Sequence, residues 1–97
     1  MRESELERYF CRKLQEAGCL TYKFVSPGNA GVPDRLIVAP GGRVAFAELK
    51  APGGKPRPLQ RMQMGRLRGM GCAVFVVDSK EWADRAVLQI GGDPGAV

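Results

Sequence analysis

Two strand-like runs, Asp34 to Ala39 (DRLIVA) and Arg43 to Lys50 (RVAFAELK), are separated only by Pro40, Gly41 and Gly42. So short a connection sends the second run back beside the first as a β-hairpin. Pairing Ala39 with Arg43 across that turn then places Asp34 directly opposite Glu48. Side chains alternate along a strand, so Lys50 shares the face of Asp34 and Glu48, with Leu36, Val38, Val44 and Phe46 as an apolar floor. The hairpin constrains this chain more than any other feature, because it fixes both a register and the side on which two acids meet.

The rest of the chain is organised around it. From Arg2 to Ala17, Leu6, Phe10, Leu14 and Ala17 recur at helical steps, and Gly18 stands where a helix would stop. Cys19 to Val25 reads as a strand, followed by the loop signal Ser26 to Gly31; Val32 before Pro33 stays extended. Ala51 to Pro58 (APGGKPRP) is a loop. Pro58 to Met70 fits a helix burying Leu59, Met62, Leu67 and Met70, with Arg61 and Arg68 opposite. Gly65 and Gly69 weaken that helix, though their spacing would let another backbone approach. Cys72 to Val77 is continuously apolar, as a strand covered on both faces would be. Ser79 caps a last helix through Leu88, and Gly91 to Val97 reads as a flexible tail. The order α-β-β-β-α-β-α gives an α/β domain over residues 1–90, a mixed sheet flanked by helices.

Composition narrows the chemistry. Among 97 residues there is no histidine, which excludes Ser-His-Asp and Cys-His systems and histidine zinc sites. Cys11, Cys19 and Cys72 contain no C-x-x-C pair and read as free thiols in a reducing cytoplasm. No apolar stretch approaches the ~20 residues of a membrane span. The net charge of +5 is local, since Leu49 to Val77 holds no acid but contains Lys50, Lys55, Arg57, Arg61, Arg66 and Arg68. Such a block suits a polyanion, or a solvated basic surface.

Directly opposed carboxylates repel by up to about 1 kcal/mol, so Asp34 and Glu48 call for a cation between them. Oxygen donors without His or paired Cys favour Mg²⁺ or Mn²⁺ over zinc. The plain alternative is a cross-strand salt bridge at a sheet edge.

The residues Gly31-Val32-Pro33-Asp34-Arg35, then Glu48-Leu49-Lys50, then Pro58-Leu59-Gln60 resemble the VRR-NUC family of the PD-(D/E)-x-K superfamily, of restriction-endonuclease-like fold. The resemblance spans nearly the whole chain. It implies a divalent-metal-dependent endonuclease acting on structured DNA, a four-way junction or flap. In the family's pattern Asp34 and Glu48 hold Mg²⁺ or Mn²⁺, Lys50 assists the attacking water, and Gln60 contacts the site or the scissile phosphate. The family also carries a glutamate on its first helix. Glu3 lies on the line of Leu6, Phe10 and Leu14 and is the first choice as third metal ligand, Glu7 the second, with Glu5 well away. The plain alternative is that all three acids simply favour the positive N-terminal end of the helix. Lys55 and Arg57 are expected to grip the phosphate backbone, and Arg61 and Arg68 to extend that surface. Tyr9, Tyr22 and Trp82 read as core or boundary residues. Short viral and bacterial relatives imply a homodimer in the cytoplasm of a bacterial or phage-infected cell. A non-catalytic structured-DNA-binding module with the same fold is the competing reading.

Overall fold

The computed structural model describes residues 1–91. Its elements are α1 (Glu3–Glu16), β1 (Leu20–Lys23), β2 (Arg35–Val38), β3 (Val44–Leu49), α2 (Pro58–Gly69), β4 (Ala73–Val77) and α3 (Lys80–Ile90). The order expected from the sequence is the order observed. The strands are shorter than expected at their ends, and α3 runs two residues past Leu88. Of the expected tail, only Gly91 is among the described residues. No helix among them is long and apolar enough to cross a membrane.

The sheet order is β1-β2-β3-β4, antiparallel except for the parallel pair β3 and β4. A parallel neighbour requires a crossover, and α2 supplies it. The hairpin register is the one the short turn dictates: Arg35 pairs with Ala47 and Leu36 with Phe46. At the turn, Ala39 N–H donates to Arg43 O at 2.7 Å and Gly42 N–H to Ala39 O at 2.9 Å. Gly41 and Gly42 have φ of 91° and 84°, the left-handed region that glycine enters without steric cost.

Alternation along the strands gives the sheet two unlike sides. Ile37, Ala45, Ala47 and Leu49 face α1 and α3, where Leu6, Phe10, Leu14, Ala83, Ala86 and Ile90 complete a buried apolar core. The other side holds a smaller cluster of Phe46, Val74 and Met64, flanked by Phe24, Leu36, Leu67 and Val76. The apolar floor is therefore only partly covered. Phe46 is buried, but Val44 stays exposed, because α2 packs toward β4.

Helix α2 turns inward a different face from the one its apolar residues suggest. Gln60 and Met64 are buried with Leu67 beside them, while Leu59, Met62 and Met70 are exposed. Burial of the polar Gln60 is explained by its partners at the site. No other backbone among the described residues approaches Gly65 or Gly69, since a Cβ on either would meet nothing within 4 Å. Cys19 is buried and Cys11 and Cys72 are half-buried, all as free thiols. Tyr9 bridges α1 and α3 by donating to Asp84 Oδ1 at 2.7 Å, whereas Tyr22 and Trp82 are about half exposed.

Candidate active site

Two local devices put Asp34 in place. Pro33 is buried and holds the chain extended into β2, and Gly31 lies against α2 at φ +89°. A Cβ on Gly31 would sit 2.9 Å from Leu59 O, so the G-V-P-D and P-L-Q segments touch, at a spot only glycine fits. Gln63 reinforces the contact, its Nε2 donating to Ala30 O at 3.1 Å. Asp34 Oδ2 accepts from Leu49 N–H at 2.9 Å, so the aspartate is bonded to the strand that carries Glu48.

Glu48 is 1% exposed, at the end of β3 on the α2 side. Its Oε2 accepts from Gln60 Nε2 at 2.7 Å and pairs with Lys50 Nζ at 3.2 Å. Its Oε1 is buried and receives no donor. Burial first, and the nearby Asp34 charge second, push the Glu48 carboxyl above its ordinary range, and Lys50 partly offsets them. The salt-bridge alternative thus accounts for only one of the carboxylate's two oxygens. An acceptor left bare inside a protein costs roughly 1–3 kcal/mol, a cost that a site for a cation would explain.

Asp34, Glu48, Lys50 and Gln60 are therefore brought together. Glu3 is not gathered with them: it is exposed in the first turn of α1, and no group of three acids or cysteines suited to a metal occurs among the described residues. Glu7 is committed elsewhere, its Oε2 lying 3.3 Å from Arg35 Nη1. Arg35 also donates to Thr21 Oγ1 at 3.1 Å, which ties α1, β1 and β2 together beside Asp34. Sequence reasoning assigned Arg35 no role. The signal was present, since an arginine on a strand face otherwise made of Ile37, Ala45, Ala47 and Leu49 needs an acid from the covering helix.

Lys55 and Arg57 are exposed on the loop beside the site. Arg61 Nη1 donates to Pro56 O at 2.9 Å and so braces that loop. Arg68 lies eight residues beyond Gln60, about 12 Å along the helix axis, and donates to Val74 O at 2.9 Å. Its guanidinium closes the α2–β4 connection at the end of the sheet away from the carboxylates.

No family model matches the chain. It is 44% identical over 81 residues, 84% of this chain and 87% of the relative, to "Putative nuclease p44" of Acyrthosiphon pisum secondary endosymbiont phage 1. A solved structure described as "VRR_NUC domain" superposes with a TM-score of 0.83 at 32% identity, covering 88% of this chain and 92% of the other. Fold and relatives together define a nuclease, an enzyme that cleaves phosphodiester bonds. Within that class, the chain belongs to the VRR-NUC family.

Proposed function

We propose that this nuclease is a divalent-metal-dependent DNA endonuclease that cuts structured DNA, a four-way junction or flap, as a homodimer. The observation that carries this reading is the carboxylate pair. Asp34 and Glu48 each have one oxygen tied by a protein donor, and the remaining Glu48 oxygen, Oε1, is buried and bare. Hard oxygen donors of this kind fit Mg²⁺ or Mn²⁺. Asp34 and Glu48 would hold the ion. When bound, the ion supplies charge neutralisation at the phosphodiester and acidifies water.

The protein's own groups do the rest. Lys50, its side chain 15% exposed and anchored on Glu48, has further N–H donors to hold the attacking water or a phosphate oxygen. Lys55 and Arg57 engage flanking phosphates from the loop, and Arg61 fixes the loop's position through Pro56. Gln60 and the Leu49 N–H keep the two acids apart and aimed. Two sites related by a two-fold axis would suit a junction with two strands to cut.

The test is cleavage of labelled four-way, flap and linear duplex DNA in EDTA, Mg²⁺ or Mn²⁺, beside Lys50→Ala, with light scattering for the dimer. Metal-dependent cuts in the branched substrates, lost in the variant, are expected. Tight binding with no cleavage in any metal would favour the non-catalytic module instead.

A further inference from the structure

The amide of Gln60 is engaged at both ends inside the protein. Its Oε1 accepts from the main-chain N–H of Arg57 at 2.8 Å, at the N-cap of α2. That bond determines which end of the amide is oxygen, so Nε2 is left to face Glu48 Oε2 at 2.7 Å. Lys50 reaches the same oxygen, and Oε1 has no donor. Both donors therefore load one oxygen and present the other. A carboxylate held this way is restrained from turning, and one of its restraints leads back to the loop that bears Lys55 and Arg57.

The neighbouring contacts make that loop and α2 a single unit. Arg61 donates to Pro56 O within the loop, and Arg61 N–H to Arg57 O at 2.9 Å. Gln60 itself is 7% exposed, so it does not meet a phosphate at the surface as the family resemblance allowed. Being neutral, it holds Glu48 without adding a second positive charge to compete with a cation.

We propose that Gln60 is a positioning residue that couples the Lys55–Arg57 loop to the metal affinity of Glu48: the Arg57 N–H aims the amide, and the amide aims Oε1. The proposal rests on the reading of Asp34 and Glu48 as metal ligands. It follows that nucleic acid engaging the loop tightens cation binding, and the cation tightens nucleic-acid binding by the same factor.

Calorimetric Mn²⁺ titration of the DNA-free protein tests it, with thermal melts beside to confirm folding. Gln60→Leu is expected to weaken Mn²⁺ roughly tenfold or more, the usual effect of removing a group that orients a metal ligand. Arg57 has φ −71°, which proline adopts, so Arg57→Pro deletes the N–H while Arg57→Ala deletes only the guanidinium. Arg57→Pro should match the loss in Gln60→Leu, the double variant should lose no more than either, and Arg57→Ala should bind Mn²⁺ as the native protein does. Native affinity in folded Gln60→Leu and Arg57→Pro would overturn the proposal, as would equal losses in the alanine and proline variants. If the native protein and Asp34→Ala both fail to bind Mn²⁺, the metal reading fails first and takes the proposal with it.

Discussion

The two sides of the sheet are built from the same strands and do opposite things. Toward α1 and α3 the inward residues Ile37, Ala45, Ala47 and Leu49 are apolar and at most 4% exposed, and the charged Arg35 on that face is met by Glu7. Toward α2, Phe46 and Val74 give way at one end to Glu48, Gln60 and Lys50, a buried acid with one bare oxygen. One side gains stability from burial, and the other gives up stability to hold an unsatisfied carboxylate in place. Period-two alternation lets both coexist within a single hairpin, because consecutive residues of β3 serve different sides.

Substitutions on the two sides should therefore separate activity from stability. Lys50→Ala is expected to lower cleavage per folded molecule by about 10²–10⁴-fold. Phe10→Ala on the other side should cost roughly 3–5 kcal/mol, with turnover per folded molecule unchanged. Chemical denaturation beside single-turnover kinetics measures both. If Phe10→Ala slowed chemistry in the folded fraction, the division of labour between the sides would be wrong.

A smaller effect sharpens the comparison through pH. Glu48 is pushed above its ordinary value of 4.5, by burial first and by Asp34 second. A raised carboxyl binds its proton more tightly in the folded state, so its contribution is most favourable below pH 4.5. That contribution is lost as pH rises through the folded value. In EDTA, Glu48→Gln should be more stable than the native protein at pH 7–8, and the gap should close toward pH 4.5. Mn²⁺ at about 100 times its Kd should return roughly 2.7 kcal/mol to the native protein and nothing to the variant. Parallel melting curves across pH would remove the assignment of strain to this carboxylate. The smallest effect is Gly65→Ala, which should stabilise α2 by about 0.5–1 kcal/mol because its Cβ meets only open space. Destabilisation in a urea melt would mean that another surface covers this face of the helix.

The hairpin, its register, the meeting of Asp34 with Glu48 and the α-β-β-β-α-β-α order were legible in the sequence. Each depends on local rules: a turn too short for any other path, alternation along a strand, and proline and glycine at the places where the backbone has little choice. Alternation also placed Lys50 beside the two acids, whereas the importance of Gln60 came from resemblance to the family. The inward face of α2 was not legible, because its apolar residues favour Leu59 and Met62 while its tertiary partners favour Gln60.

The role of Glu7 was hidden for the same reason. Helical spacing places three acids around the start of α1 but does not say which of them meets a cation, and Arg35 comes from a strand 28 residues away. By itself, then, the sequence determined which residues share a strand face and which acids stand opposed. Only the tertiary structure decided which oxygen of Glu48 is loaded and which is bare, which face of α2 turns inward and which glutamate Arg35 claims. Those outcomes depend on donors brought together from distant segments, and no periodicity within one segment encodes them.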